Sequence, residues 1–242
     1  EQMAADAPHM VVLAELLEIL VILEDRVDVV RLVGDMVQPP LLVVDAEQDM
    51  VVDIVVAAVE PRQLVEIGRR TGVPVLVDDG LVVWDTLAIA EYVAEQFPQA
   101  QLWPADRAAR ARARSLCAEM HAGFTQLRSH CPMNIEASLS DIGALIWRDQ
   151  AGVRSDVARI VAMWSALLAE HRGPMLFGAF SVVDAYFAPV VMRLRSYALP
   201  VPAEITAYMN RLCALPGVQA WIEGALAEQD FLDFEEPYRL RR

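Results

Sequence analysis

Apolar residues dominate the first third of the chain and occur in short runs. The runs at 27–33 and 51–59 are rich in β-branched residues, which predicts two buried strands. The run at 11–23 fits a helix and a buried strand equally, because a run this apolar hides its period. Pro61 at a first helical position predicts a helix over 61–70. This part of the chain therefore mixes helical and strand patterns.

A segment near residue 80 carries the most specific pattern. Two short β-branched runs flank Asp79 and Gly80, and this dipeptide favours the tight turn of a β-hairpin. Thr86 follows the second run, and its hydroxyl is suited to accept a hydrogen bond from a first-turn amide. We therefore predict Thr86 as the N-cap of a helix that ends near Gln96, before Pro98.

Beyond Pro98 the apolar positions recur every three or four residues, which predicts helices throughout. These helices are separated by Gly and Pro and are predicted over 105–131, 153–171, 182–196, 203–214 and 217–228. Ser181 and Asp184 have the spacing of a capping box at the start of the third one. The core of this part is predicted to include Trp147, Trp164 and Trp221. The pattern predicts a mixed α/β unit followed by an all-helical unit.

Charge divides the chain in the same place. Up to Phe97 there are 19 Asp or Glu residues against 5 Arg, and after it there are 15 of each. We therefore predict a boundary at Phe97-Pro98, with an extension over 1–26, a first domain over 27–97 and a second over 98–242. The formal net charge of −14 disfavours nucleic acid as a partner, because a polyanion is held mainly by basic residues.

The residue types exclude several kinds of chemistry. All 20 basic residues are Arg, which excludes Schiff bases on lysine and the phosphate-binding P-loop. The three Cys residues are far apart and the four His residues form no ligand pair at helical spacing, so we predict neither a disulfide framework nor a metal site. The apolar stretch at 10–23 is too short to span a bilayer and has no basic leader, so we expect a cytoplasmic protein without a membrane partner.

Four short motifs occur in order along the chain. They are Gly72-Val73-Pro74-Val75-Leu76, Val83-Trp84-Asp85-Thr86-Leu87-Ala88-Ile89, Phe97-Pro98 with Leu102-Trp103-Pro104, and Ser181-Val182-Val183-Asp184-Ala185. Together they resemble the soluble glutathione transferase superfamily, and the stretch at 118–134 is similar to a bacterial branch of it. The resemblance covers residues 61–228 and implies an α/β thioredoxin-like domain followed by an all-α helical-bundle domain.

The resemblance implies a glutathione site in the first domain. The proline that Pro74 matches is cis in this family, and the turn leaves the backbone of Val73 free to pair with the cysteinyl part of glutathione. Asp85 and Thr86 match positions that hold the γ-glutamyl end, where Thr86 would offer its hydroxyl and amide to the α-carboxylate. Arg62 matches a position that often contacts the glycyl carboxylate, with a solvated helix face as the alternative.

The resemblance also implies a pocket for a second substrate. His121, Phe124 and Arg128, together with Asn134, are predicted to line it from the inner face of the long helix. The alternative is structural, since a histidine in such a helix is more often a hydrogen-bonded interior or surface residue. The implied partners are a small apolar electrophile and a second copy of the chain in a homodimer.

One departure from the family concerns the thiol-activating residue. These enzymes stabilise the glutathione thiolate with a Ser, Cys or Tyr just after the first strand, and lowering the thiol pKa is most of the chemistry. The corresponding turn at 34–39 has none of these residues, and none occurs before Tyr92. Gln38 can donate an amide hydrogen bond there and is a weaker substitute.

Two functions are therefore open. The first is a glutathione transferase that binds glutathione as co-substrate and uses its thiolate on a small apolar electrophile, by conjugation, isomerisation or reduction. The second is a non-catalytic binding or scaffold protein of the same fold, which the missing thiol-activating residue and the acidic first domain favour. A thioredoxin-type oxidoreductase is disfavoured, because no Cys precedes Cys117.

Overall fold

The computed structural model describes residues 75–78, 81–228, 231 and 236–239. The chain divides into two compact units, Glu1–Trp103 and Pro104–Arg242. The first unit continues past Phe97-Pro98 and includes a 3-10 turn (Pro98–Ala100) and the buried side chain of Leu102.

Several predictions concern other parts of the chain. The strands at 27–33 and 51–59, the helix at 61–70, the run at 11–23 and the extension at 1–26 all lie outside the described residues. These elements, and the predicted limits of the two domains, stay predictions.

The first unit contains the predicted hairpin. Strand β1 (Val75–Asp78) pairs antiparallel with strand β2 (Leu81–Trp84), and Asp78 lies opposite Leu81. This register leaves two residues for the turn, which is the connection that an Asp-Gly dipeptide favours. The hairpin prediction is confirmed.

A helix follows the hairpin directly. Helix α1 (Thr86–Gln96) buries the face that carries Ile89 and Val93, which are four residues apart. It ends at Phe97, because a following proline disfavours helical dihedrals in the residue before it. The predicted end of this helix is confirmed.

The second unit is helical in its described residues, apart from two isolated β-bridges between 175 and 179. Its helices are α2 (Arg107–Ala122), α3 (Thr125–His130), α4 (Ser140–Asp149), α5 (Ala151–His171), α6 (Val182–Ser196), α7 (Ala203–Cys213) and α8 (Pro216–Glu228). The last four agree with the predicted helices to within two residues at each end. Within the described ranges, no helix combines the length and apolar character needed to cross a membrane.

The prediction of one helix over 105–131 is wrong, because the chain leaves the helical path at Gly123. Gly123 has φ −104° and ψ −168°, and Phe124 follows with φ 55°, in the left-handed region. A Cβ atom on Gly123 would lie 2.5 Å from a carbonyl oxygen of the preceding turn. Helix α3 then begins afresh, and the amide of Leu127 in its first turn donates to Oδ2 of Asp156 on α5 over 2.9 Å.

Helix α4 has no counterpart among the predicted helices. A glycine in its first half, Gly143, weakens the helical pattern there. In the structure this glycine permits close packing, since a Cβ atom on it would lie 1.8 Å from the carbonyl oxygen of Tyr197. The amide of Leu139 also donates to the carbonyl of Ser196 over 2.7 Å. The start of α4 is therefore held against the end of α6.

The core of the second unit surrounds α6, whose residues are nearly all buried. Trp164 on α5 is fully buried, and its ring meets those of Phe187 and Tyr208 edge-on at centroid distances of 5.3 Å and 5.2 Å. Trp221 is also buried, as predicted, whereas Trp147 is half-buried.

Ser181 and Asp184 form the predicted capping box at the start of α6. The Asp184 carboxylate is fully buried and accepts hydrogen bonds from the Ser181 amide (2.9 Å), the Ser181 hydroxyl (3.2 Å), the Leu176 amide (3.1 Å) and the Tyr208 hydroxyl (3.1 Å). Burial raises the pKa of Asp184 to about 6, and these hydrogen bonds oppose the rise. One buried carboxyl thus joins the start of α6 to α7.

Candidate functional site

The first candidate site lies where β2 ends and α1 begins. Asp85 connects the two elements with φ 74° and ψ 130°, which is uncommon for a residue other than glycine. Its Oδ1 accepts hydrogen bonds from the amides of Leu87 (2.9 Å) and Ala88 (3.3 Å). Asp85 is therefore the N-cap of α1.

The prediction of Thr86 as the N-cap is wrong by one residue. Thr86 is the first residue of α1 and is 1% exposed. The carboxylate before it accepts from two first-turn amides and places a negative charge at the positive end of the helix. The sequence contained this signal, since Asp is as good an N-cap as Thr or better.

The cap leaves polar groups available at this junction. Asp85 is exposed, and both amides contact its Oδ1, so Oδ2 accepts no hydrogen bond within the described residues. The amide of Thr86 likewise has no acceptor in the described part of the chain. An exposed negative charge thus lies beside a helix N-terminal amide, and this pair suits a ligand that carries an ammonium next to a carboxylate.

The backbone of Asp85 is held in an unfavourable conformation. A residue other than glycine in a sparsely populated region costs on the order of 1–3 kcal/mol, and such residues cluster at binding sites. The two hydrogen bonds to Oδ1 offset part of this cost. Asp85 is thus both the N-cap of α1 and a strained residue of the kind found at binding sites.

Four residues of the implied glutathione site lie outside the described residues: Gln38, Arg62, Val73 and Pro74. Of the residues expected to bind glutathione, the structure therefore describes Asp85 and Thr86, which lie together at the start of α1. The roles of the other four stay predictions.

The residues expected around the second substrate lie on different elements. His121 is exposed in the last turn of α2, Phe124 lies between α2 and α3 and is 7% exposed, and Arg128 lies on α3. Nη2 of Arg128 donates to the carbonyl of Met120 over 2.9 Å, so this side chain ties the two helices together. Because the chain leaves the helix at Gly123, these residues do not lie on one continuous helix. The role of these residues toward a substrate stays a prediction.

The described thiols are unsuited to nucleophilic chemistry. Cys117 and Cys131 are fully buried and Cys213 is half-buried. Burial raises the pKa of Cys131 to about 12 and also raises the pKa of Cys213. Cys131 and Cys213 are therefore protonated near neutral pH, whereas the thiolate is the reactive form. Within the described residues, no group of three or more His, Cys, Asp and Glu is placed to hold a metal ion.

Two family models match the chain. The N-terminal domain of glutathione S-transferase matches residues 19–96, and the C-terminal domain of glutathione S-transferase matches residues 107–224. The first match ends with α1 and the second begins with α2. The two matches therefore flank the division of the chain into two units.

The chain is also similar to solved structures. The chain is similar to a glutathione transferase homolog from Burkholderia gl BGR1 with bound glutathione, at 26% identity and a TM-score of 0.50, over 66% of this chain and 77% of that one. It is also similar to a glutathione transferase from Methylococcus capsulatus str. Bath, at 23% identity and a TM-score of 0.49, over 67% of this chain and 78% of that one.

Proposed function

Because the chain belongs to the glutathione transferase family, with its thioredoxin-like and helical domains, we propose that it binds glutathione and presents the thiolate to a small apolar electrophile. The observation that carries the proposal is Asp85, an exposed carboxylate held at positive φ directly before α1. The crystal structure of the Burkholderia homolog contains bound glutathione, which supports the choice of ligand.

The γ-glutamyl end of glutathione fits the groups at this junction. Its α-ammonium would pair with Oδ2 of Asp85, which the helix cap does not use. Its α-carboxylate would accept a hydrogen bond from the amide of Thr86, at the positive end of α1. In the proposal, the backbone of Val73 at Pro74 pairs with the cysteinyl part, and Arg62 pairs with the glycyl carboxylate.

The chemical step needs a group that lowers the thiol pKa of bound glutathione. The turn at 34–39 has no Ser, Tyr, Cys or Thr, so in the proposal the hydrogen bond to the sulfur comes from an amide such as that of Gln38. A neutral amide stabilises a thiolate less than a well-placed hydroxyl network does, so we expect slow turnover. The same absence favours the second candidate, a non-catalytic binding or scaffold protein of this fold.

The second substrate and the assembly complete the proposal. We propose that His121, Phe124 and Arg128 line the pocket for the electrophile, and this rests on the family resemblance alone. We also propose that the protein is cytoplasmic and forms a homodimer, and sedimentation of the purified chain tests the homodimer.

Calorimetric titration of the purified chain with glutathione tests the proposal. The informative variant is Asp85→Asn, because Asn accepts from the same first-turn amides and keeps the cap while it removes the charge. Asp141→Asn is the matched control, since it removes an exposed charge on α4, in the other unit. We expect wild type and Asp141→Asn to bind alike, and Asp85→Asn to bind several-fold more weakly.

A conjugation assay with a chlorinated nitrobenzene then separates the two candidates. Binding together with turnover supports the transferase, and binding without turnover supports the non-catalytic protein. Absence of glutathione binding by the wild-type chain contradicts the transferase and supports a non-catalytic scaffold protein of the same fold.

A further inference from the structure

A cavity lies in the helical unit where α6 and α7 end and α8 begins. Its volume is about 370 Å³, within the range of about 300–1,000 Å³ that small-molecule sites occupy. It is open to solvent, and its lining residues come from the last turns of α6 and α7, from the residue after α7 and from the first eight residues of α8. None of the residues proposed to bind glutathione or the electrophile is among them. The cavity is therefore built from a different set of residues.

The short connection between α7 and α8 builds most of the cavity. Only Ala214 and Leu215 separate the two helices, so α8 begins close to the end of α7. Each helix then contributes residues at spacings of three and four, which lie on one face of a helix. These residues are Asn210, Cys213 and Ala214 at the end of α7, and Gln219, Ile222 and Glu223 on α8. Two helix faces and the side chain of Arg195, at the end of α6, therefore line the cavity.

The lining combines a partly buried floor with a polar rim. Cys213 and Ile222 are half-buried, whereas Asn210, Gln219 and Glu223 are exposed. Small-molecule sites have this composition, since apolar groups contact the body of the ligand while a few polar groups fix its orientation. The cavity therefore suits a ligand that directs an apolar part inward and keeps its polar parts at the rim.

The rim carries one charge of each sign. The guanidinium of Arg195 and the carboxylate of Glu223 line the same cavity, and neither forms an ion pair with a residue that the structure describes. The side-chain amides of Asn210 and Gln219 likewise form no hydrogen bond within the described ranges. One cation, one anion and two amides are therefore available to a ligand.

We propose that this cavity binds a dipeptide that has free ends and an apolar side chain. The guanidinium of Arg195 binds the terminal carboxylate through parallel hydrogen bonds, and Glu223 accepts hydrogen bonds from the terminal ammonium. Asn210 and Gln219 donate to and accept from the peptide unit, and Ile222 contacts the apolar side chain.

The chemistry of the rim favours a dipeptide over a free amino acid and over glutathione. Arg195 and Glu223 are too far apart for an ion pair, so the charged ends of the ligand must also be apart. An extended dipeptide spans up to about 7 Å, whereas a free amino acid has both charged groups attached to one carbon. Glutathione carries a second carboxylate, and Arg195 is the one cation among the described lining residues. This inference therefore does not depend on glutathione binding.

Labelling of Cys213 with N-ethylmaleimide measures occupancy of the cavity, because this residue belongs to its lining. Mass spectrometry reads the rate at each cysteine of the native chain, with glycyl-L-leucine as the probe. Without peptide, Cys213 should react faster than the fully buried Cys117, which shows that its labelling does not require unfolding. We expect labelling of Cys213 to slow about tenfold at ten times the peptide concentration that gives half protection.

Two capped peptides test whether the cavity recognises both charges. N-acetyl-glycyl-L-leucine lacks the ammonium, glycyl-L-leucinamide lacks the carboxylate, and both keep the apolar side chain. We expect each to need a several-fold higher concentration for half protection, because each loses one charge-assisted contact. Equal protection by all three peptides would overturn the proposal, since the cavity would then bind the apolar group alone.

Two variants assign the charges to residues. Arg195→Gln should bind glycyl-L-leucine and its amide equally, and Glu223→Gln should bind glycyl-L-leucine and its acetylated form equally. Because Arg195 and Cys213 line one cavity, the peptides are compared within each variant, so that a change in the reactivity of the thiol cancels. Arg148→Gln is the matched control and should keep both preferences, because Arg148 pairs with Asp149 and does not line the cavity.

Protection by glycyl-L-leucine that loses one preference in each variant supports the proposal. The proposal is overturned when millimolar glycyl-L-leucine leaves the labelling of Cys213 unchanged, or when both variants keep the preferences of the wild type. Protection by the acetylated peptide that equals protection by the parent identifies a site for anions and also overturns it. Calorimetric titration with the same three peptides measures the affinities independently of the thiol.

Discussion

The hydroxyl of Tyr208 donates a hydrogen bond to Oδ1 of Asp184 over 3.1 Å, and both residues are 0% exposed. Tyr208 lies on α7, whereas Asp184 belongs to the capping box of α6. A carboxyl that has lost all contact with water relies on such donors, because an unpaired buried polar group is costly. This pair therefore couples the cap of the central helix to its neighbour.

Replacing Asp184 by Ala is expected to destabilise the second unit strongly. The substitution leaves two amides and two hydroxyls buried without their acceptor, and the free energy of unfolding should fall by at least about 3 kcal/mol. Tyr208→Phe is the milder comparison, with an expected loss of about 1–2 kcal/mol, because it removes a single bond. Urea unfolding followed by circular dichroism measures the free energy of unfolding of both variants. Equal losses would show that the other three hydrogen bonds to Asp184 contribute nothing to stability.

Stability should also depend on pH through Asp184. Burial raises its pKa in the folded state from 3.8 to about 6, so the folded chain binds this proton more tightly than the unfolded chain does. The resulting stabilisation is complete below the unfolded value and is lost as the pH rises through about 6. The measurement is the urea midpoint of the wild type and of Asp184→Asn as a function of pH.

The comparison with Asp184→Asn isolates this group from the other carboxylates. The pKa of Glu119 is lowered by its hydrogen bonds to Arg159, so Glu119 contributes a slope of opposite sign. It contributes equally to both proteins and cancels in the difference. We expect the advantage of the wild type over Asp184→Asn to shrink with rising pH, and a constant difference would contradict the assignment.

The elements that the sequence predicted well are those whose cause is local. The hairpin follows from Asp79-Gly80 between β-branched runs, and the capping box follows from the spacing of Ser181 and Asp184. Each of these signals lies within a few residues of the structure it specifies.

The elements that were missed depend on distant partners. The break after α2 is stabilised by Asp156, which binds the first-turn amide of Leu127 from 29 positions along the chain. Helix α4 needs a glycine at Gly143, because the carbonyl of Tyr197 occupies the space that a side chain would fill. At the candidate site, Asp85 and Thr86 are both suitable N-cap residues. The sequence does not show which of them caps the helix, because this depends on the backbone conformation of Asp85.

Gly143 should not tolerate even a methyl group. Its Cβ would lie 1.8 Å from a backbone oxygen that cannot move independently, so Gly143→Ala is expected to lower the free energy of unfolding by about 3 kcal/mol or more. Gly224 in α8 is the matched control, since a Cβ there meets nothing within 4 Å. Gly224→Ala should stabilise the chain by up to about 1 kcal/mol through helix propensity. A similar response of the two variants in urea unfolding would contradict the packing argument.

Replacing Asp85 by Ala should destabilise the protein more than replacing it by Gly. Asp85→Ala loses the cap and keeps a side chain at φ 74°, which predicts a loss of about 1–2 kcal/mol. Asp85→Gly also loses the side-chain cap, but glycine adopts this φ without strain and is an acceptable N-cap, so its loss should be smaller. Thermal unfolding compares them, and a larger loss for Gly than for Ala would show that the positive φ carries no strain.

The last prediction concerns the hydroxyl of Thr86 and rests on the proposed glutathione site. Thr86→Val keeps the shape of a residue that is 1% exposed and removes the hydroxyl, so it should weaken glutathione binding by roughly 1 kcal/mol or more. Thr86→Ser keeps the hydroxyl and loses a methyl group, and it should bind nearly as tightly as the wild type. Calorimetric titration measures the three affinities, and circular dichroism verifies that each protein is folded. Equal affinity of Thr86→Val and the wild type would remove the hydroxyl from the site while leaving the contribution of the Thr86 amide intact, because the backbone is the same in both.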